Sequence, residues 1–390
     1  MKFLKTSFPL WLLVLAAGFN ACQKADKLPF YGEGTAPVLS ASAATVAPVP
    51  ADSLKVALVL NWTDPGHAQD SSLYKFVVEI DSVNGNFNNA VKKVVTGTRS
   101  YSFLARDFNA LLLSWGFQFN VAYNVFIRVT SSYGNNNERL SSNVLTIRGT
   151  PYKIPPKVTL PPSGRLFIVG GATEGGWNNP IPSAFAIAQE FSRVDETTFG
   201  GIFNLSSGQN YLVLPVNGSW DSKYALPTTN QPNVEQEGNF AYYAPGVPGG
   251  DDFRSVATSG QYKITLDFQQ GRYKVEPFLQ QHGLPAQLFI VGGATPGGWN
   301  NPVPLPQQQL TRRNSVLWDV TLNFTSGQAY LILPTNGDWG RKFGAQDAGA
   351  PGAGLGGNFV PEGADFPAPA TSGSYKFSID FFTGKYKLTQ

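Results

Sequence analysis

Two tryptophans at matching places in a repeated phrase could stack on a sugar ring. The phrase reads SGQNYLVLPVNGSW up to Trp220 and returns as SGQAYLILPTNGDW up to Trp339. An Asn-Gly turn delivers each tryptophan past the end of a hydrophobic strand, where an indole is costly to leave in water unless it packs on something. It can fold onto its own domain, or it can offer a flat platform to the C–H face of a sugar. We favour the platform for Trp220 and Trp339.

The residues that follow each tryptophan are of types that could assist such a platform. A lysine and then an aromatic residue follow in both copies: Lys223 and Tyr224, and Lys342 and Phe343. A lysine can donate hydrogen bonds to ring hydroxyls, and an aromatic ring adds apolar surface. Ser222 in the first copy corresponds to Arg341 in the second, so this position is not shared. We therefore expect the lysine to be the polar residue that both copies use.

A second repeated phrase carries another pair of tryptophans. LFIVGGATEGGWNNP occupies residues 166–180 and LFIVGGATPGGWNNP residues 288–302. A hydrophobic strand enters a Gly-Gly turn, and the loop that follows presents Trp177 in one copy and Trp299 in the other. The glycines do not form a dinucleotide-binding fingerprint, since no helical pattern follows and no acidic residue closes a βαβ unit. Trp177 and Trp299 are equally well interpreted as caps at a sandwich edge and as ligand contacts.

A third repeated element is the tripeptide Gly-Asn-Phe, which contains Asn239 in one copy and Asn358 in the other. An asparagine amide offers both a donor and an acceptor to sugar hydroxyls, but it can equally satisfy a turn of its own backbone. Both interpretations stay open. Two tyrosines follow the first tripeptide closely, whereas Pro361 and Glu362 stand at the matching positions of the second. We therefore expect the two copies to differ in affinity or ligand.

Catalysis is not expected, because the carboxylates do not repeat as a working pair. Glycoside hydrolysis needs two of them at a fixed separation, but Glu174 is answered by Pro296. The acidic residues that the copies share are Asp252 with Asp365, in a loop, and Asp267 with Asp380, at a strand end before a hairpin turn. Neither a nucleophile elbow nor an HExxH or EF-hand phrase occurs. The sequence thus predicts a protein that is not an enzyme and needs no cofactor or metal.

Composition favours packed β domains and argues against a nucleic-acid partner. Of 390 residues, 42% are hydrophobic, which is ample for ordinary cores. Only 14% are charged and the formal net charge is +3, so the basic field that nucleic acid requires is missing. Aromatic residues make up 13% of the chain, with 29 prolines and 41 glycines, which suits short strands joined by tight turns.

The first 21 residues are typical of a bacterial lipoprotein signal peptide. They contain two early lysines, a short apolar run and Ala21 directly before Cys22. Cys22 is the only cysteine, which excludes an intrachain disulfide and a cysteine zinc cluster. We interpret it as the lipidated start of the mature chain, held by its acyl groups in membrane lipid, with a soluble secreted protein as the alternative. Residues 22–47, rich in Ala, Ser and Pro, then form a flexible tether.

The remaining chain is expected to form three β-sandwich domains. The first covers residues 48–150 and is followed by a Pro-rich linker at 151–163. The two copies of the repeated phrases define module 1, residues 164–278, and module 2, residues 286–390.

Several residues of the first domain and the linkers have structural interpretations. Alternating β-branched and aromatic residues predict strands around Val56 to Asp64, Tyr74 to Ser82, Tyr123 to Ser132 and Asn143 to Gly149. Trp62 is then a core aromatic, and Asp107 is a candidate N-cap of a short helix. His67 lies in a turn and His282 in the second linker, and both are predicted to be solvated.

Phrases along the chain resemble one known family. They are Trp62-Thr63-Asp64, YKFVVEID from Tyr74, FNALL from Phe108, Ile127-Arg128-Val129, Thr150-Pro151-Tyr152 and the later IVGGAT phrases. Together they resemble surface lipoproteins of the SusE and SusF type, from the starch utilisation systems of Bacteroidetes. The resemblance covers nearly the whole chain after the leader. It implies an all-β fold of tandem immunoglobulin-like β-sandwiches, a SusE-like domain followed by two carbohydrate-binding-like modules.

The resemblance also implies a function. Such a protein is non-catalytic, is exposed at the outer face of the outer membrane, and holds starch, maltooligosaccharide or a related glycan for surface hydrolases and an outer-membrane importer. The alternative is a structural or protein-interaction lipoprotein that binds no glycan, because exposed tryptophans also serve protein interfaces.

Overall fold

The computed structural model describes residues 33–67, 74–83, 86–227, 236–254 and 256–390. The predicted signal peptide and Cys22 lie outside these residues, so the lipid anchor stays a prediction. The chain divides into two compact units, unit 1 (Met1–Pro155) and unit 2 (Pro156–Gln390). Within the described part of the chain, no helix has the length and apolar character needed to cross a membrane.

Unit 1 is a β-sandwich, as predicted. Its strands are β1 (Leu39–Ala41), β2 (Thr45–Val46), β3 (Val56–Trp62), β4 (Tyr74–Asp81), β5 (Val91–Thr96), β6 (Ser100–Leu104), β7 (Tyr123–Tyr133), β8 (Leu140–Ser141) and β9 (Leu145–Gly149). One sheet has the order β1-β3-β6 and the other β2-β9-β7-β4-β5, with β8 on β7. Alternate residues of each strand face a shared core. Leu58, Ile80 and Ile127, from both sheets, are fully buried in it.

Helix α1 (Ala105–Ser114) begins earlier than the sequence predicts. Asp107 lies in its first turn and is not the N-cap, so that prediction is wrong. The N-cap is Leu104, whose side chain makes no capping hydrogen bond. The first two amides of the helix instead donate to the carbonyl oxygens of Lys55 and Ser53, at 2.8 and 2.9 Å. Because this short turn, which follows a 3-10 helix at Pro50–Asp52, satisfies those amides, no side-chain cap is needed.

Two aromatic side chains of unit 1 test the predictions directly. Trp62 is buried against Phe76, with ring centroids 5.3 Å apart, which confirms its place in the core. The prediction of a solvated His67 is wrong. Its side chain is fully buried, and Nε2 lies 3.2 Å from Ser131 Oγ. Burial lowers the pKa of His67, since desolvation disfavours its charged form.

Module 1 folds as a second sandwich, within unit 2. Its elements are β10 (Phe167–Val169), α2 (Ser183–Ala186), β11 (Ser192–Arg193), β12 (Thr198–Leu205), β13 (Leu212–Leu214), β14 (Lys223–Ala225), β15 (Glu237–Asn239), β16 (Ala241–Tyr243), β17 (Gly260–Asp267) and β18 (Arg272–Pro277). The described residues form a sheet of order β10-β13-β14-β16 and a sheet of order β11-β12-β17-β18-β15.

Module 2 repeats this arrangement. Its strands are β19 (Phe289–Val291), β20 (Thr311–Arg312), β21 (Leu317–Phe324), β22 (Ala329–Leu333), β23 (Phe343–Ala345), β24 (Gly356–Pro361), β25 (Phe366–Pro367), β26 (Gly373–Asp380) and β27 (Lys385–Thr389). Here β24 is continuous and pairs with both β23 and β27, which joins the two sheets. In module 1 the matching stretch is interrupted at Phe240 into β15 and β16. The chain is therefore all-β, in tandem sandwiches.

Both linkers contribute to the cores of unit 2. Val158 is buried in the core of module 1, and its amide donates to the carbonyl oxygen of Phe268 at 3.2 Å. The fold of module 1 thus uses residues that precede 164. Phe278, the last residue of module 1, and Leu284, from the second linker, pack against the core of module 2.

The prediction of a solvated His282 is also wrong. Only 7% of its side chain is exposed, and Nε2 lies 2.6 Å from Glu362 Oε1. Its ring meets the edge of Phe343 at 5.7 Å between centroids. The hydrogen bond to His282 lowers the pKa of Glu362. The second linker is therefore held against module 2 by both apolar and polar contacts.

Candidate functional site

The repeated tryptophans meet in pairs. Trp177 and Trp220 of module 1 have ring centroids 6.4 Å apart and planes inclined by 40°. Trp299 and Trp339 of module 2 are also 6.4 Å apart, inclined by 39°. The four residues are 44%, 48%, 46% and 50% exposed, respectively. We call these pairs platform 1 and platform 2. Each joins one tryptophan from the loop after the first strand of a module with one from the later Asn-Gly turn.

Two asparagines tie the loops of each platform together. In module 1, Asn179 Oδ1 accepts a hydrogen bond from the Gly218 amide at 2.5 Å, and Asn217 Oδ1 accepts one from the Ile181 amide at 2.7 Å. Module 2 has the same two bonds, from Gly337 to Asn301 at 2.7 Å and from Val303 to Asn336 at 2.8 Å. The peptide bonds Asn179-Pro180 and Asn301-Pro302 are cis. Each loop thus fixes the other, and with it the angle between the indoles.

A buried glutamine braces the first loop from below. Gln189 Oε1 accepts from the Gly175 amide at 2.7 Å, while its Nε2 donates to the Ile168 carbonyl at 2.6 Å. Gln308 does the same in module 2, with the Gly297 amide and the Ile290 carbonyl, both at 2.6 Å. A fully bonded buried amide is costly to disturb. The loops that carry Trp177 and Trp299 are therefore rigid supports.

The Gly-Gly turn before each of these loops is a steric requirement. Gly170 has φ +150° and Gly292 has φ +151°. A Cβ at Gly170 would stand 2.4 Å from Tyr211 Cα, and a Cβ at Gly292 would stand 2.3 Å from Tyr330 Cα. Only glycine permits this close approach of two backbones. The repeated glycines thus serve the loop geometry.

Tyr224 and Phe343 do not belong to the platforms, so their prediction as ligand contacts is wrong. Both are fully buried. Tyr224 packs on Phe268 at 5.1 Å between centroids, and Phe343 packs on Phe381 at the same distance. Burial raises the pKa of the Tyr224 hydroxyl, which donates a hydrogen bond to the Thr159 carbonyl. These rings fill the space between the sheets.

The repeated lysines alternate with those rings and lie on the opposite face of the strand. Lys342 Nζ is 3.4 Å from Asp365 Oδ1. Lys223 Nζ lies 5.9 Å from the centre of the Tyr243 ring. Burial raises the pKa of Asp252, the counterpart of Asp365, and Lys223 opposes that rise. Each lysine therefore has a local partner of its own module.

The Gly-Asn-Phe asparagines are exposed on strands and not beside the tryptophans. Asn239 stands opposite Arg272 in the sheet, and Asn358 stands opposite Lys385. Asn358, Lys385 and Gln346 line a groove of about 610 Å³ in module 2 that contains no platform residue. The structure thus separates Asn358 from Trp299 and Trp339.

The sequence missed the pairing within each platform and the residues that maintain it. The sequence did contain a signal for the asparagines, because Asn179 and Asn217 both recur in module 2, as Asn301 and Asn336.

The two aspartates at the strand ends have the turn role that the sequence predicts. Asp267 Oδ1 accepts a hydrogen bond from the Gln270 amide, and Asp380 Oδ1 accepts one from the Phe382 amide. The residues that the structure describes contain no group of three or more His, Cys, Asp or Glu side chains able to hold a metal.

One family comparison agrees with the resemblance seen in the sequence. Residues 24–130 match the family model described as SusE outer membrane protein. The crystal structure of SusF from Bacteroides thetaiotaomicron aligns over 92% of this chain and 77% of that chain, at 17% identity and a TM-score of 0.33. No curated protein matches. The family match is confined to residues 24–130 and so lies within unit 1.

Proposed function

We propose that this protein is a non-catalytic lipoprotein of the cell surface that binds polysaccharide on platforms 1 and 2. Starch or another α-glucan is the preferred ligand. The acylated Cys22 anchors the chain in the outer membrane, and the bound glycan is held for surface hydrolases and an outer-membrane importer of the same system. The SusE family match of residues 24–130 supports the location and the system, and the platforms support the ligand class.

The observation that carries the proposal is the duplicated platform. Two half-exposed indoles stand 6.4 Å apart in both modules, at inclinations of 40° and 39°. Large apolar rings left in water mark a binding surface when a rigid scaffold holds them there. The scaffold is rigid here, since the same asparagine and glutamine bonds recur in both modules. Two rings inclined to each other suit a curved α-glucan chain better than a flat chain.

Two platforms on one chain also suit a polymer. Once a glycan is bound at one platform, the second contact is intramolecular and its effective concentration is high. Overall retention then exceeds what either platform gives alone, by a factor of about 10² or more. Two weak sites can thus hold a long glycan and still release short products.

The non-catalytic assignment rests on the carboxylates. A retaining glycosidase places two carboxyl groups about 5–5.5 Å apart and an inverting one about 6.5–9.5 Å apart, across the bond to be cleaved. Of the acidic residues shared by both modules, Asp267 and Asp380 are used in hairpin turns. Asp365 pairs with Lys342. None of these three aspartates lies in the loops that carry the platform tryptophans.

Affinity electrophoresis of residues 23–390 tests the proposal. The chain is run through gels that contain amylopectin, dextran, xylan or no polysaccharide, beside the variants Trp177→Ala/Trp220→Ala, Trp299→Ala/Trp339→Ala and the combination of all four. We expect amylopectin to retard the wild type, and each double variant and the quadruple variant to lose most of the retardation.

The matched control is Phe119→Ala, which removes an aromatic ring of similar exposure, 45%, from unit 1. It should migrate as the wild type does. Retardation of the quadruple variant that equals that of the wild type would place the polymer elsewhere on the chain. A wild type that migrates freely in every gel would contradict glycan binding and favour the protein-interaction alternative.

A further inference from the structure

A cavity of about 250 Å³ lies inside unit 2, between module 1 and module 2. Module 1 lines it with Glu174, Phe185, Ile202, Asn204 and Gln261, and module 2 lines it with Arg312. Glu174 and Asn204 are exposed, so the cavity opens to solvent on their side. Clefts between domains with a few convergent polar groups are a common place for small ligands.

The two modules are packed together firmly around this cavity. The Phe382 ring of module 2 lies against Gly200, where a Cβ would come within 2.3 Å of the ring. Lys263 Nζ donates to the Phe382 carbonyl at 2.9 Å and lies 4.2 Å from the centre of its ring. Ile202 of module 1 belongs to the core of module 2. The cavity walls are therefore pre-formed and do not depend on a ligand to bring them together.

Arg312 differs from its counterpart in module 1. Arg193 and Arg312 make the same bonds to the turn after their strands: Arg193 to the carbonyls of Asp195 and Glu196, and Arg312 to those of Asn314 and Ser315. Arg193 is exposed, whereas module 1 covers Arg312. Burial lowers the pKa of Arg312 to about 10. Among the described residues none accepts a hydrogen bond from its Nη1 group, so the turn leaves these N–H donors unused.

Glu174 is a side chain that only module 1 has. The repeated phrases of residues 166–180 and 288–302 are identical except at this position, where module 2 has Pro296. The structure places that single difference at the cavity. Glu174 Oε1 accepts a hydrogen bond from Asn204 Nδ2 at 3.1 Å, and its charge acts on the guanidinium of Arg312. The carboxylate found only in module 1 and the arginine covered only in module 2 thus face one space.

We propose that this junction cavity binds one neutral sugar ring, as a third site distinct from the platforms. The choice of a sugar as ligand rests on the proposed function. The Glu174 carboxylate accepts hydrogen bonds from two vicinal hydroxyls, and Arg312 Nη1 and Asn204 donate to ring oxygens. Phe185, which is half-buried, offers apolar surface to the C–H face of the ring.

Charge and size select this ligand class. One carboxylate and one guanidinium sum to zero, so a ligand with a net charge would leave one of them without compensation. A neutral polyol satisfies both. Drug-sized ligands occupy pockets of about 300–1,000 Å³, and the smaller junction cavity suits a single ring, for instance the end of a chain.

The test uses a variant without the platform tryptophans, so that sugar binding at the junction cavity is measured alone. Residues 23–390 with all four platform tryptophans replaced by alanine are titrated with glucose, galactose and xylose, each alone, and followed by saturation-transfer NMR and ligand shifts. We expect at least one sugar to bind, and Glu174→Gln or Arg312→Met to weaken that binding by about tenfold or more, as loss of a charged hydrogen bond predicts. Glu174→Gln is isosteric, which guards against a folding defect.

Arg193→Met is the matched control, because it removes the same brace from module 1 at a distance from the cavity. It should leave sugar binding unchanged. The junction site is overturned if no sugar binds the platform-free protein up to 100 millimolar, if Glu174→Gln binds as tightly as its parent, or if glycine, a zwitterion, binds better than the sugars. Retention of the wild type by amylopectin gels is independent of these outcomes, so the two proposals fail separately.

Discussion

Strand β12 of module 1 carries Gly200 where the matching strand β21 of module 2 carries Asp319. The register proves the correspondence, since Gly200 stands opposite Ser192 and Asp319 opposite Thr311, the first residues of β11 and β20. In module 2, Asp319 is buried between Arg313 Nη2 at 2.7 Å and Lys376 Nζ at 2.9 Å. In module 1, Gly200 lies under the Phe382 ring of module 2.

The neighbours of this position have changed with it. Arg313 of module 2 is answered by Val194, which packs against the core of module 2. Lys376 corresponds to Lys263 in module 1. Because module 1 has Gly200 in place of the aspartate, Lys263 donates to the Phe382 carbonyl instead. One sheet face thus carries an ion-paired carboxylate in one copy and bare backbone in the other. With Gly200 and Val194 in place of the aspartate and the arginine, this face of module 1 packs against module 2. The lysine is kept in both modules, but it pairs with Asp319 in module 2 and with the Phe382 carbonyl in module 1.

The largest effect is expected from giving module 1 the residue of module 2. Gly200→Asp places a Cβ within 2.3 Å of the Phe382 ring and a carboxylate in an apolar contact. Overpacking alone costs about 1–3 kcal/mol, and the unpaired charge adds to it, so we expect a loss of about 3 kcal/mol or more in the stability of the junction. Thermal unfolding should then show separate transitions for the two modules, and proteases should cut near Leu279.

Gly260→Asp is the control for this change. The same side chain enters the same module, where a Cβ would meet only Tyr262 at an ordinary 3.8 Å. It should keep the wild-type unfolding profile. A single, unshifted transition for Gly200→Asp would show that the modules do not depend on this contact.

A smaller effect is expected from removing the charge in module 2. Asp319→Asn loses two charge-assisted contacts, and because Arg313 and Lys376 are each 52% exposed, we expect a cost of about 1–2 kcal/mol at neutral pH. The unfolding of module 2 measured by calorimetry should shift to lower temperature, while junction cleavage stays unchanged.

The same variant has a defined pH dependence. Burial alone would raise the pKa of Asp319, but hydrogen bonds from Arg313 and Lys376 lower it overall. Its stabilising contribution is therefore complete above the unfolded pKa, about 3.9, and is lost as the pH falls through the lower folded value. The stability gap between wild type and Asp319→Asn should be constant from pH 7 to about 5 and close below about 4. A gap that widens in acid would contradict this assignment.

The smallest effect is expected at the lysine. Lys263→Met removes a hydrogen bond and a cation–π contact across the junction, which together contribute about 1 kcal/mol. Cleavage near Leu279 should rise several-fold. Lys376→Met, its counterpart, should lower only the stability of module 2. Equal cleavage in both variants would mean that the lysines have not diverged in role.

Local patterns in the sequence were sufficient for the fold class and for the position of the repeated elements. Alternating apolar residues and turn residues act within a few positions of one another, so the strands of unit 1 and the repeated hairpins could be predicted. The same alternation could have separated Lys223 from Tyr224, since neighbours in a strand face opposite ways. The sequence grouped them with Trp220, and the structure places Tyr224 in the core.

What only the tertiary structure decided depends on contacts between distant segments. Trp177 and Trp220 lie more than forty residues apart, and their pairing depends on asparagines that bond across two loops. Likewise, the sequence shows Gly200, Phe382, Glu174 and Arg312 as unrelated residues, because nothing local indicates which face of one module meets the next. The sequence by itself determined an all-β chain with two copies of one module. Packing between segments decided which tryptophans are presented together and where the modules join.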